Sequence, residues 1–144
     1  MTREGASWRS VEFPALVALI LHPDAGPILF DTGYDPAFFA ATEAFPERLY
    51  RWTTPVDFKP EEAVAEQLPR FGVKPEDVTA IIISHCHGDH VAGLHRLPKA
   101  AIHCARAGAE LLVRGNRLSR VRKGVLSALT PADLTDRAVW FEDR

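Results

Sequence analysis

The hydrophobic positions of the chain fall into short runs separated by turn residues. Two runs, 15–21 and 28–30, flank the turn-rich segment 23–27, and this arrangement predicts a β-hairpin. A third run, Ile81–Ile83, consists of β-branched residues and predicts a strand buried on both faces. Shorter runs predict strands at 100–104 and 139–141. The chain is therefore expected to contain a sheet with a hairpin at one end.

Helices are predicted between these runs. Lys59-Pro60-Glu61-Glu62 has acids in a first turn and predicts a helix that continues to Leu68, before Pro69 and Gly72. Further helices are expected to begin at Val91 and to cover 105–113 and 118–129. Aromatic residues between 34 and 52 are expected mainly in the core, with the wall of an apolar pocket as the alternative. Strands and helices are thus expected to alternate along the chain.

Four polar residues able to bind a metal follow the Ile81–Ile83 run. They form the pattern His-x-His-x-Asp-His with His85, His87, Asp89 and His90. Alternation along an extended segment places His85 and His87 on one side, and Gly88 allows a sharp turn that frees Asp89 and His90 from opposite orientations. Imidazole and carboxylate ligands suit zinc, with iron or manganese as alternatives. A histidine-rich surface loop is the other interpretation, but packing has no use for this spacing.

A second motif lies about fifty residues upstream, where a short strand ends in Asp31-Thr32-Gly33. Alone this sequence indicates only a turn. Together, the two motifs resemble those of the metallo-β-lactamase-fold hydrolases, which include β-lactamases, glyoxalase II-type thioesterases, lactonases, nucleases and flavodiiron proteins. The resemblance implies that His85 and His87 bind one metal and that Asp89 and His90 bind a second. It also implies that Asp31 lies beneath the metals and orients a ligating histidine through hydrogen bonds.

The resemblance further implies an α/β (α+β) fold with a mixed sheet flanked by helices. It also implies a hydrolase with up to two zinc ions. In such an enzyme a metal-activated hydroxide attacks the carbonyl of a small-molecule substrate such as a lactone or thioester. Asp89 would orient this nucleophile and shuttle its proton. The lactonase and glyoxalase II-like branches have the most similar layout. A flavodiiron-type oxidoreductase is a weaker alternative, because an acidic residue usually stands where this chain has His87.

The family completes its metal sites with a later histidine, a bridging aspartate and a last histidine. No matching motif surrounds the remaining histidines or the late aspartates, and these are His22, His95, His103, Asp133 and Asp136. We therefore expect one domain over 1–144, truncated at its C-terminus, that forms the N-terminal half of an αββα sandwich and exposes an apolar sheet face. A homodimer or the missing C-terminal half would cover that face. The alternative function is a truncated, non-catalytic metal-binding or interaction module.

Composition narrows the classes of partner and compartment. The 144 residues include 17 Lys and Arg against 19 Asp and Glu, so we expect no nucleic-acid partner. The basic residues between 114 and 123 predict a solvated helix face, with contact to an acidic substrate as the alternative. Two cysteines, Cys86 and Cys104, are too few for a disulfide framework. The longest apolar run is far shorter than the roughly 18 residues of a membrane helix, so we expect a soluble cytoplasmic protein without a membrane partner.

Overall fold

One five-stranded sheet lies at the centre of the computed structural model, which describes residues 13–143. The strands follow chain order across the sheet; the first two are antiparallel and the others are parallel to their neighbours. This confirms the predicted mixed sheet and its hairpin. The strands are β1 (Ala18–His22), β2 (Gly26–Phe30), β3 (Ala80–Ile82), β4 (Ala101–Cys104) and β5 (Ala138–Trp140).

Short helices connect the parallel strands, as parallel pairing requires. They are α1 (Pro36–Ala41), α2 (Arg48–Thr53), α3 (Val64–Gln67), α4 (Gly88–Val91), α5 (Arg106–Val113), α6 (Arg117–Arg122) and α7 (Leu134–Arg137).

Three helix predictions need correction. The helix predicted over 118–129 is wrong as a single element, because Gly124 adopts a positive φ of 71° that ends α6, and only a 3-10 turn at Ser127–Leu129 follows. The helix predicted from residue 59 is broken into a 3-10 turn, Pro60–Glu62, and then α3. The helix predicted to begin at Val91 is wrong, because α4 already ends at Val91 and only a 3-10 turn, Leu94–Arg96, follows before Pro98.

The sequence did not predict α1 as a helix, although its start signal is present. The Asp35 side chain accepts a hydrogen bond from the backbone N–H of Ala37, and Pro36 occupies the first helical turn. This helix places Phe38 in the core, where its ring packs edge-on against Tyr34 and Tyr50 at centroid distances of 4.9 and 5.5 Å. The expectation of a mainly buried aromatic segment therefore holds only in part: Tyr34, Phe39 and Tyr50 are half-buried against the core. Phe45 and Trp52 are 70% and 67% exposed.

The two faces of the sheet differ in burial. Leu29, Ile81 and Ile102 are neighbours in register on one face and are at most 1% exposed beneath the helices. On the other face Ile20 and Phe30 are 43% and 40% exposed, and Ile82 is only partly buried. The prediction that β3 is buried on both faces is therefore wrong, since no described element covers its second face.

Within residues 13–143 no helix is long and apolar enough to cross a membrane. The prediction of one truncated domain over 1–144 stays a prediction, and the first twelve residues and Arg144 lie outside the described part of the chain.

Candidate metal centre

The site begins with a buried carboxylate at the end of β2. Asp31 is 2% exposed and adopts a positive φ of 60°, which turns the chain back toward the neighbouring strand. Its Oδ1 accepts a hydrogen bond from the backbone N–H of Ser84 at 2.9 Å, and its Oδ2 accepts one from Ser84 Oγ at 2.7 Å. Parallel pairing of β2 with β3 brings these two strand ends together. Asp31 therefore joins the segments that follow the two strands.

The same carboxylate orients a histidine. Asp31 Oδ2 lies 2.8 Å from His90 Nδ1, and an ionised carboxylate can only accept, so His90 carries its proton on Nδ1. Thr32 fixes the backbone of the same residue, because its N–H and its hydroxyl both donate to the His90 carbonyl, at 3.0 and 2.8 Å. The Nε2 atom of His90 is therefore the one left to bind a ligand.

Ser84 orients a second histidine, His85, through a hydrogen bond. A hydroxyl has one hydrogen, and Ser84 Oγ donates it to Asp31. The contact of 3.1 Å between Ser84 Oγ and His85 Nδ1 must then be a hydrogen bond donated by the imidazole. His85, like His90, is left with a lone pair on Nε2. Sequence reasoning did not assign Ser84 a role, although it stands between Ile83 and the first histidine.

The exit from β3 holds the next histidines together. The rings of His85 and His87 meet edge-on with centroids 4.4 Å apart, and those of His85 and His90 are 4.0 Å apart. Cys86 lies between the first two and is buried on the opposite side, where it would meet any side chain added at Gly108. This agrees with the alternation expected for an extended segment. Burial raises the pKa of the Cys86 thiol to about 11, with smaller contributions from Cys104 and Asp31.

Glycines let other segments approach the motif closely. A Cβ at Gly124 would lie only 2.9 Å from His87 Cδ2 and 3.0 Å from its Nε2, so the end of α6 packs directly against the imidazole. A Cβ at Gly88 would lie 3.1 Å from the ring of Phe38. Sequence reasoning missed Gly124, because no local sequence pattern predicts contact with His87, 37 positions earlier in the chain.

The ionisable groups perturb one another. Burial lowers the pKa of His85 below its ordinary value, and the nearby His90 and His87 lower it further against the opposing effect of Asp89. Burial raises the pKa of Tyr34 and of Tyr50, and the carboxylate of Asp89 adds to both shifts. The two phenols and Asp89 therefore share one electrostatic environment.

The donor types at this site fit zinc. Two donors that each lie about 2.0–2.2 Å from a tetrahedral zinc are roughly 3.3 Å apart, and Asp89 Oδ2 lies 3.2 Å from His90 Nε2. The set is nevertheless partial: within residues 13–143 no three His, Cys, Asp or Glu side chains are arranged to hold one ion. The structure brings His85, His87, Asp89, His90 and Asp31 together, and their roles as ligands and as an orienting group stay predictions.

A cleft of about 360 Å³ opens beside the motif. His87 and Asp89 form one side of it and Tyr34 and Tyr50 another. The remaining lining residues are Thr53, Thr54, Val121, Arg122 and Gly124. The cleft therefore leads from solvent to the two residues of the motif that are least tied by hydrogen bonds.

The other histidines have different environments. His22 closes the hairpin turn, since its Nδ1 accepts hydrogen bonds from the backbone N–H groups of Asp24 and Ala25. His95 Nε2 lies 3.4 Å from Asp35 Oδ1, at the start of α1. His103 lies on the second face of the sheet, opposite Ile82.

Comparison with known proteins identifies a family for the chain. The family profile of the metallo-β-lactamase superfamily matches residues 11–143. An N-acyl homoserine lactonase of Bacillus cereus is 34% identical over 97 residues, which are 63% of this chain and 36% of that protein. A probable metallo-hydrolase of Mycobacterium tuberculosis is 28% identical over 115 residues, which are 74% of this chain and 34% of that protein. The chain thus spans about a third of the length of these curated relatives.

Solved structures agree as well. The structure of a quorum-quenching N-acyl homoserine lactone lactonase matches with a TM-score of 0.55 and 25% identity, over 69% of this chain and 36% of that one. The mixed sheet, the buried aspartate after β2 and the histidine motif after β3 define a metallo-hydrolase type of fold. The chain belongs to the metallo-β-lactamase superfamily, which confirms the resemblance drawn from its two motifs.

Proposed function

We propose that this chain supplies one side of the active centre of a zinc-dependent hydrolase that cleaves the bond between the carbonyl carbon and the leaving oxygen or sulfur of a lactone, thioester or similar ester. One observation carries the proposal. Asp31 and Ser84 hold the Nδ1–H groups of His90 and His85 in hydrogen bonds. Each of these two histidines therefore keeps an unprotonated Nε2 that can bind a metal. Neutral imidazoles fixed by a carboxylate are the usual state of metal-binding histidines.

The residues would divide their work as follows. His85 and His87 would bind one zinc ion, and Asp89 and His90 a second. Bound zinc supplies Lewis-acid chemistry and lowers the pKa of a coordinated water from about 15.7 to about 7. Asp89, which faces the cleft, would orient a water molecule and accept its proton. Asp31 would keep His90 in the required tautomer.

The partial donor set implies further ligands. Two protein ligands for each ion are fewer than the three that catalytic zinc sites normally have. We propose that protein outside the described residues supplies the others, either from a C-terminal half or from a second copy of the chain. The named relatives make N-acyl homoserine lactones the first substrates to test on this protein.

The test measures metal and turnover together. Purified protein is analysed for zinc per chain and assayed with an N-acyl homoserine lactone and a thioester, beside a His85→Ala/His87→Ala variant. The control is His22→Ala, because His22 lies at the opposite end of the sheet. We expect zinc and turnover to fall at least tenfold in the double variant and to stay unchanged in the control. Equal zinc and equal activity in all three proteins would refute the assignment.

A further inference from the structure

We propose that Arg122 binds an anionic oxygen group of the substrate, so that the cleft selects esters that carry a carboxylate or a phosphate at a distance from the reacting carbonyl. This inference rests on the proposed function, because it names the substrate class of the same site. It begins from the basic segment 114–123 at the end of α5 and through α6.

Most arginines of this segment have partners inside the protein. Arg114 pairs with Glu110 at 3.3 Å, one helical turn earlier. Arg117 forms a two-pronged ion pair with Glu47, through Nε at 2.9 Å and Nη2 at 2.6 Å. One pair lies at the end of α5 and the other links α6 to the start of α2, and both arginines stay largely exposed, as expected for a solvated helix face.

Arg120 also has an internal partner, since its Nη1 donates to the carbonyl of Gly115 at 2.8 Å. Arg122 differs from these three arginines. It lines the cleft beside the metal motif, and no carboxylate among the described residues lies within ion-pair distance of its guanidinium. A guanidinium without a carboxylate partner at the wall of a cleft is available to a ligand.

The backbone around Arg122 is fixed relative to the motif. Val121 is 8% exposed and anchors the last turn of α6 in the protein. Gly124 follows two residues later and packs against the imidazole of His87. The guanidinium is therefore carried on a segment that touches one of the proposed zinc ligands, on the side where the cleft opens.

The charges of the cleft favour a role for this guanidinium. Asp89 is the one carboxylate among the residues that line the cleft, and the proposed zinc ions would offset its negative charge. Tyr34, Tyr50 and the two threonines contribute neutral hydroxyl groups. Arg122 presents a planar fork of donors that matches carboxylate and phosphate oxygens in pairs. An anionic substrate would thus reach Asp89 and His87 with its charged group held by Arg122.

The test compares matched substrates in four proteins. 4-Nitrophenyl butyrate is neutral, and 4-nitrophenyl hydrogen succinate is similar in length but carries a carboxylate. The proteins are the parent chain, Arg122→Ala, Arg122→Lys and the control Lys123→Ala, whose side chain is exposed next to the cleft. In Arg122→Ala we expect the KM for the succinate ester to rise about tenfold or more, with kcat and the neutral ester nearly unchanged. Arg122→Lys should raise the KM for the succinate ester less than Arg122→Ala does. Lys123→Ala should leave this KM unchanged.

A binding measurement separates this inference from the proposed function. Calorimetry with glutarate and with glycerol phosphate records anion binding without any turnover. If no protein hydrolyses either ester, weaker binding in Arg122→Ala but not in Lys123→Ala still supports the inference, while the proposed function fails. Preference for one of the two anions identifies the substrate group. The inference is overturned if both substitutions act alike, if both esters are affected equally, or if neither anion binds.

Discussion

Both faces of the central sheet carry large apolar residues, and they differ in what covers them. Leu29, Ile81 and Ile102 form the floor of the core under the helices. Ile20 and Phe30 have similar side chains, but substantial parts of them remain open to solvent among the described residues. An alternating strand normally has polar residues on a solvent face. The second face therefore carries large apolar side chains without a covering layer in the described part of the chain.

The comparison also explains where the site lies. β2 and β3 leave the sheet at the same edge because they are parallel. The covered face gives these strands a rigid support, and the buried Asp31 then links the segments beyond them. Precise placement of a metal-binding motif depends on such support from rigid elements.

The sharpest test of the comparison uses adjacent residues of β3. Ile81 is fully buried and Ile82 is not, so Ile81→Ala should lower the free energy of unfolding by about 2–5 kcal/mol. Ile82→Ala should cost roughly 1 kcal/mol, because a smaller cavity and less apolar area are involved. Urea unfolding followed by circular dichroism measures both. Equal losses would show that further protein covers the second face in solution.

A substitution of Asp31, at the end of β2, should have the second-largest effect on stability. Asp31→Asn keeps the size of the side chain and tolerates the positive φ, but it replaces one accepting oxygen with an amide that faces Ser84 Oγ and His90 Nδ1. We expect a loss of about 1–3 kcal/mol in unfolding free energy from the broken buried hydrogen bonds. Asp24→Asn, in the exposed hairpin turn, is the control and should change stability little. If the two variants were equally stable, the Asp31 network would not support the fold.

The parts of the molecule that the sequence predicted depend on local patterns. The strand at Ile81–Ile83 and the shared side of the alternating histidines could be predicted because side-chain direction in a strand repeats every two residues. The hairpin was readable from the turn residues between two apolar runs. The link between Asp31 and the histidine motif became readable only through the family resemblance, because no local rule relates residues 53 to 59 positions apart.

The remaining features depend on contacts between distant segments. The approach of Gly124 to His87 requires α6 to end at the site, and its left-handed φ breaks a pattern that otherwise resembles one long helix. The partner of Arg117, Glu47, likewise appears only once α2 and α6 are side by side. The open second face could be expected from the resemblance, but the apolar run in β3 by itself suggested burial on both sides.

The smallest effects are expected on the open face itself. Ile20→Thr and Phe30→Thr keep strand-favouring residues and remove apolar surface that is already partly in water. We expect each to change the free energy of unfolding by about 1 kcal/mol or less, and to reduce binding of an apolar fluorescent dye. Sedimentation velocity on the same samples measures association through this face, and losses comparable to that of Ile81→Ala would remove the distinction between the two faces. A parent protein that sediments as a dimer, with variants that sediment as monomers, would identify the second copy of the chain as the missing layer.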